Sequence, residues 1–349
     1  MRQARVYLDH NATVPLRREA REAMAAAMDV VGNPSSVHAE GRAAKALVEK
    51  ARAQVAAALG ADGADVIFTS GATEAAALAC AGRGLACAPV EHDAVLSWSS
   101  GELPVDGKGA VQVVDPEASA LQLANSETGV LQDLPEGIAV SDMTQAFGKV
   151  PLAFNWSGAG MALISAHKLG GPKGIGALVV RRGTEVPAQI RGGGQEMGRR
   201  SGTENITGIA GFGAAAEAAV RDLADAKWDQ VEKLRNILEN VIADRANHPI
   251  FVGKDAQRLA NTTCMITPGW KGETQVMQMD LAGFAISAGS ACSSGKVRAS
   301  GVLTAMGFDE KDAASAIRVS LGLETTEQEV LAFAEAWLAA HERFRARAA

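Results

Sequence analysis

The sequence predicts an α/β protein, with a large α/β domain on a mainly parallel sheet and a smaller α+β domain. Three observations predict it. Short apolar runs of strand length alternate with stretches of helical periodicity through most of the chain. A long, charged, helix-prone stretch at residues 213–245 then gives way to a different pattern, with two strand candidates around a Gly/Ser-rich segment and a closing amphipathic helix. The 349 residues also exceed what one small hydrophobic core usually serves. The division falls near residue 230, giving a large domain over 16–230 and a small one from 1–15 and 231–349.

The elements follow in order. Residues 37–59 (VHAEGRAAKALVEKARAQVAAAL) place apolar side chains at helical spacing, and Gly60 ends the run. VIFTS (66–70) reads as a buried strand that runs into GATEAAALA, a tight turn opening a helix. Further strands are expected at ALQLA (120–124), GIAV (137–140), MALIS (161–165) and GALVV (176–180). Residues 213–245 read as one long helical link. Beyond it come NTTCMIT, SAGSACSSG, AIRVSL and a helix from about Thr326.

Composition excludes some classes of function. Hydrophobic residues make up 47% and charged residues 21%, as in ordinary globular proteins. The net charge of -6 argues against a nucleic-acid partner. The opening MRQARVYLDHNATVPL lacks the apolar run of a signal peptide, and no stretch has the length and apolarity of a membrane span, so a cytoplasmic protein is expected. The four cysteines form no C-x-x-C pair, so no metal site or disulfide framework is expected. Cys80, Cys87 and Cys264 lie in helix-like or strand-like runs that suit burial. Cys292 is different: small residues flank it, with Gly289, Gly295 and Gly301 spaced around it, as in a loop that presents a thiol.

Several segments can carry chemistry. Lys168, in SAHKLGGPKGIGALVV (165–180), follows a strand at the carboxyl edge of a sheet, where α/β proteins bind ligands. A lysine in a partly dry site loses its proton readily and can form a Schiff base; taken alone, it reads as a surface lysine in a β-hairpin, and its neighbours turn the reading. TSGATE (69–74) offers backbone N–H groups and the Thr73 hydroxyl to an anion, or a capping box with Thr73 as the cap. Asp142 ends a strand, where it can hold a protonated ring nitrogen or cap a helix. His92 could lie on a ring face or be structural. RGGGQEMGRRSGTEN (191–205) offers Arg200, Ser201 and Thr203 to a phosphate, or is a flexible surface loop.

Taken in order, YLDHNAT, GNPSSVH, FTSGATEA, EHDAV, NSETG, the D-x-x-Q of Asp142 and Gln145, S-x-HK, GPKGIGAL, GGGQE, RSGTEN, GSAC and IRVSLG form a set that resembles cysteine desulfurases. These belong to the class V aminotransferase branch of fold-type I pyridoxal-phosphate enzymes. The resemblance runs from Tyr7 to about Thr326. It implies that Lys168 holds pyridoxal 5'-phosphate covalently and that His92 stacks on its ring. Asp142 would hold the ring nitrogen, Gln145 the ring oxygen, and Ala72, Thr73, Ser165 and His167 the phosphate. Thr203 would reach the phosphate of a second subunit, implying a homodimer. Arg318, with Asn33 and Arg200, would bind the carboxylate of L-cysteine. Cys292, on a loop of the long, mobile type, would take the sulfur as a persulfide, release alanine and pass the sulfur to an acceptor protein. Such acceptors include iron–sulfur scaffolds and sulfur-relay proteins.

The chain departs from the family pattern in places. A paired Asn-Asn is replaced by Asn125-Ser126, whose second position contacts the cofactor in the family. Met143 and Ala166 replace smaller residues. The segments between Ala79 and Glu91 and between Gln132 and Asp142 are short. The other readings are a class V relative with another substrate (a selenocysteine lyase, aminotransferase or epimerase) and a non-catalytic paralogue that binds the cofactor or a sulfur acceptor. Cys292 separates the first from a desulfurase; Lys168, Asp142, His92, Cys292 and Arg318 together argue against the second.

Overall fold

A computed structural model of the protein describes residues 5–246, 249–289 and 299–348. In chain order, the first part runs β1 (Val6–Tyr7), α1 (Arg18–Met28), α2 (Ala39–Ala58), β2 (Asp65–Thr69), α3 (Ala72–Cys80), α4 (Asp93–Leu96), β3 (Ala120–Gln122), β4 (Val140–Asp142), β5 (Met161–Ser165), β6 (Gly176–Val180) and α5 (Ile206–Ala224). Then follow α6 (Lys227–Arg245), β7 (Ile250–Phe251), β8 (Thr262–Ile266), α7 (Gly272–Leu281), β9 (Phe284–Ala285), β10 (Ser287–Ala288), α8 (Gly301–Ala305), α9 (Glu310–Ala313), β11 (Ala316–Ser320) and α10 (Glu327–Ala348).

The central sheet has the order β2-β6-β5-β4-β3. β3, β4 and β5 pair in parallel, while β6 runs against both its neighbours, β5 and β2. Four of the five strands therefore point the same way, and the carboxyl ends of β2, β4 and β5 share one edge. Alternate residues serve the two faces, as strand geometry requires. Val66, Phe68, Ala162, Ile164, Ala177 and Val179 pack with residues of α2 and α5. Ile67, Met161, Leu163, Leu178 and Val180 pack with α3. Burying each such aliphatic side chain contributes about 1.5–3 kcal/mol. α5 lies hard against α2 because Gly213 has no Cβ; one there would come within 2.8 Å of the Ala51 Cα.

A second core joins Leu8, the α6 residues Val231, Leu234 and Leu238, Met265, Trp270, Ile317, Val319, Phe333 and Trp337. β1 pairs in parallel with β9, so the amino-terminal segment is stitched to the carboxy-terminal third of the chain. β10, β11, β8 and β7 form an antiparallel sheet. Thr326 and Glu329 form a capping box at the start of α10.

MALIS and GALVV are strands over their whole expected span. GIAV is not: Gly137 takes a left-handed φ of 83° in a turn, and pairing begins only at Val140. Residues 213–245 are not one helix, because Ala226 adopts φ 52° and breaks the stretch into α5 and α6. Cys80, Cys87 and Cys264 are buried. Burial pushes all three thiols up, Cys80 to about 12, which makes them poor nucleophiles. Among the described residues no helix is long and apolar enough to cross a membrane, and no His/Cys/Asp/Glu group could hold a metal.

Candidate active site

The shared edge of β2, β4 and β5 opens into a cavity of about 590 Å³, within the usual range for a small-molecule site. Lys168, Asp142, His92, Ala72, Thr73, Gln145, Ser165, His167, Ser126 and Arg318 all line it. Strand ends supply Asp142 and Ser165, and Lys168 ends the short helical turn after β5. Helix α3 points its amino terminus at the cavity. Its cap is Gly71, with no side-chain hydrogen bond, so Thr73 lies in the first turn and is not the cap. Gly176 lets this helix end approach: a Cβ there would stand 2.8 Å from the Gly71 Cα. Open N–H groups in the first turn and the positive end of the helix dipole suit an anion.

The other side chains are held by hydrogen bonds. Asp142 Oδ1 accepts the Thr144 N–H at 2.9 Å, which orients the carboxylate; the cap it makes is of a turn, not a helix. His92 heads α4 and its Nδ1 accepts the Ala94 N–H at 3.1 Å, so the capping role is real and the ring also lines the cavity. Lys168 Nζ donates to the carbonyls of Asn11 at 2.6 Å and Ala12 at 3.1 Å. His167 Nδ1 lies 3.2 Å from the Thr13 hydroxyl. Burial, with Lys168, Lys173 and Lys149 nearby, pushes His167 down to about 4, so its ring is neutral near pH 7.

Arg318, on β11, is buried. It donates to Asp9 Oδ1 at 2.9 Å and to the Ser126 carbonyl at 3.0 Å, and its buried Nε has no hydrogen-bond partner among the described residues. Such a guanidinium has a planar fork ready for a carboxylate.

Other sequence candidates fall elsewhere. Asn125 does not line the cavity: its Oδ1 accepts from the N–H groups of Glu127 and Thr128, and its Nδ2 donates to the Val90 carbonyl, which fixes the turn. Arg200 and Thr203 line a neighbouring hollow of about 230 Å³ that shares Ser70 and Gly174 with the main cavity. Arg200 Nε donates to Glu74 at 2.8 Å. Segment 191–205 is anchored at Glu196, which, at φ 48°, is buried and accepts from Arg52 at 2.7 Å and from the Phe68 N–H at 2.9 Å. Asn33 is exposed and accepts the Ser35 N–H at 2.9 Å. Cys292 lies outside the described residues. Met143 and Ala166 are fully buried core residues, and neither lines the cavity.

The structure adds residues that the sequence reasoning did not single out. Asn11 is the hub. Its carbonyl accepts from Lys168 and from Gln145 Nε2, its Oδ1 from Lys149 and Asn261, and its Nδ2 donates to Thr262 and the Ser126 carbonyl. Lys149 is buried and also donates to Gln145 Oε1 at 2.7 Å. Burial and the charges of Lys168 and Arg318 push its amine well below the ordinary lysine range. The signal for Asn11 was the YLDHNAT motif; Lys149 carried none.

These residues fit pyridoxal phosphate: an open helix amino terminus for the phosphate, an oriented carboxylate for the ring nitrogen, and a lysine beside both.

The model of the class-V aminotransferases matches residues 6–99 and 111–333 of this chain. The cysteine desulfurase IscS of Dictyoglomus turgidum is 35% identical over 361 residues, covering 93% of this chain and 91% of that protein. A cysteine desulfurase of Cereibacter sphaeroides is 38% identical over 364 residues, covering 93% of each. Among solved structures, a NifS-like protein from Rickettsia africae superposes with a TM-score of 0.87 at 31% identity, covering 97% of this chain and 99% of that one.

Proposed function

The chain belongs to the class-V aminotransferase family, with cysteine desulfurases as relatives over nearly its whole length, and on that premise we propose that it takes sulfur from L-cysteine and passes it to an acceptor protein. The observation that carries the reading is the convergence of Lys168, Asp142, His92 and Arg318 on one cavity beside the open end of α3. The family is one of pyridoxal-phosphate enzymes, and we assign that cofactor to this cavity.

Lys168 holds the cofactor and moves protons at the α-carbon of the substrate. The backbone N–H groups of Ala72 and Thr73, with the side chains of Thr73, Ser165 and neutral His167, bind the phosphate. Asp142 would hold the pyridine nitrogen in its protonated form, His92 would lie against the ring and Gln145 would serve the ring oxygen. Bound pyridoxal phosphate supplies the electron sink for charge that develops on the substrate. Arg318 grips the substrate carboxylate, already oriented by Asp9 and the Ser126 carbonyl. The thiolate of Cys292 attacks the substrate sulfur. The substrate C–S bond breaks and an S–S bond forms, so that cysteine and a protein thiol become alanine and a protein persulfide. Atoms and electrons balance with no outside oxidant or reductant.

Thr203 lies beside the phosphate end yet outside the cavity, which supports a homodimer in which it serves the partner's cofactor; Arg200, whose Nε donates to Glu74, is assigned to the substrate carboxylate on the family pattern alone. Asn33 belongs to the substrate site on the family pattern alone. The two largest cores support a division into residues 16–230 and 1–15 with 231–349, while a smaller core joins Ala88, Val90 and Leu103 to Val252, Cys264 and Val302 across it. The test is product identity. With pyridoxal phosphate, L-cysteine and a small thiol acceptor, the protein should form alanine and sulfide in equal amounts. Formation of a keto acid in their place would refute the reading.

A further inference from the structure

The turn after β3 carries one acid inward. Glu127 is 8% exposed. Its N–H is held by Asn125 Oδ1 at 2.9 Å, and one residue earlier the Ser126 carbonyl accepts from Arg318 and Asn11. The turn is thereby tied to the floor of the cavity. The Glu127 carboxylate accepts the hydroxyl proton of Ser300. Ser300 is 1% exposed and caps α8, its Oγ accepting the Leu303 N–H at 3.1 Å. A single hydroxyl thus donates to Glu127 and accepts from the helix.

An acid is an expensive choice for this place. A buried carboxylate is strongly disfavoured without a paired charge, and among the described residues Glu127 makes no ion pair within 4.0 Å. Burial pushes its acid up to about 7, opposed by the Ser300 hydrogen bond and by Arg318. Asp93 and His92 are the other charged or titratable groups that act on it. Capping α8 needs only Ser300. The acid instead joins the Arg318 side of the cavity to Ser300 at the start of α8.

We infer that Glu127 is a positioning residue for sulfur transfer: by holding Ser300 it fixes the cap of α8, eight residues after Cys292 in the sequence. The inference rests on the desulfurase reading and adds to it a residue that acts through the backbone, not on the substrate.

The test compares wild type with Glu127→Ala, Glu127→Gln and Ser300→Ala. Two quantities are measured on cofactor-loaded protein: L-cysteine affinity, from the cofactor spectrum, and the single-turnover rate at which the Cys292 peptide gains a sulfur atom. Glu127→Ala and Ser300→Ala should bind cysteine as wild type does and form the persulfide on the order of tenfold more slowly, as expected for one charge-assisted hydrogen bond. Glu127→Gln keeps an acceptor oxygen and should restore the rate. In cofactor-free protein, amide hydrogen exchange across residues 299–306 should quicken in Glu127→Ala and return to the wild-type pattern in Glu127→Gln. If Glu127→Ala does not fold, Ser300→Ala carries the comparison. Persulfide formation at the wild-type rate, unchanged exchange, or a loss of cysteine affinity in step with rate would overturn the inference. A wild-type protein that forms no persulfide would instead overturn the desulfurase reading.

Discussion

The edge around Lys168 and the segment 191–205 are both irregular, glycine-rich and rich in polar side chains, yet the chain treats them differently. At the Lys168 edge, strand ends, a helix end and the amino-terminal segment aim Asp142, Thr73, His167 and Lys168 into one cavity. In 191–205 the polar groups are spent on the chain's own fold: Glu196 on Arg52, Arg199 on Asp65 and Arg200 on Glu74. Thr203 is left exposed beside a smaller hollow. One region turns its polar groups toward a shared cavity. The other is an arm pinned by ion pairs whose use, on the proposed reading, lies in a second copy.

The largest test of that contrast is Lys168→Ala. It should abolish desulfuration and the reducible covalent attachment of the cofactor, checked by borohydride reduction and peptide mass, whereas Lys173→Ala should retain the attachment. Attachment that survives loss of Lys168 would make Lys149 or Lys173 the working amine. Next is Arg318→Lys, which keeps the charge but cannot serve Asp9, the Ser126 carbonyl and a carboxylate together. We expect kcat/KM for cysteine to fall on the order of 10²-fold, with the cofactor spectrum unchanged.

Smaller effects belong to the arm. Thr203→Ala should weaken cofactor retention by about tenfold, the scale of one hydrogen bond to a charged group. In wild type the same weakening should appear when dilution separates the subunits, and dilution should change the mutant little further. A dilution-independent defect would return Thr203 to its own chain's site.

Mild acid separates the two regions by the smallest amount. His167 and His10 are each held down to about 4, His10 chiefly by burial and then by Lys149, whereas an unfolded histidine takes its proton near 6.5. Between those values the unfolded chain binds protons that the native one does not, so stability should fall as the pH drops from 6.5 toward 4, and the loss is complete below that. The His167 contribution should be on the order of 1 kcal/mol at pH 5. Urea unfolding should show it, and His167→Asn should flatten the dependence. Segment 191–205 has no histidine, so its variants should keep the wild-type slope.

The cavity was legible where local sequence determines position. A residue just after a buried strand lies at that strand's carboxyl end, which located Asp142 and Lys168 without tertiary information. The turn-to-helix change at TSGATE located the open end of α3 in the same way, although not the identity of the cap. Asn11 was legible only as part of a motif, because its partners, from Ser126 and Gln145 to Asn261 and Thr262, are more than a hundred residues away. Lys149 was invisible for the same reason: nothing local distinguishes a lysine buried behind a site from one on a surface. The break at Ala226 was missed because an alanine in a left-handed conformation has no sequence signal. The departures at Met143 and Ala166 fall in the core; Ser126 alone of the three departures lines the cavity.

The central claim is that sulfur leaves cysteine onto Cys292 while the Lys168 cavity holds the substrate. The most direct measurement is a single turnover of cofactor-loaded protein with L-cysteine, following alanine release and the mass of the Cys292 peptide together. The account predicts that both appear at one rate, with the peptide heavier by one sulfur atom, and that Cys292→Ser yields neither. Alanine and sulfide released by Cys292→Ser at the wild-type rate would contradict it.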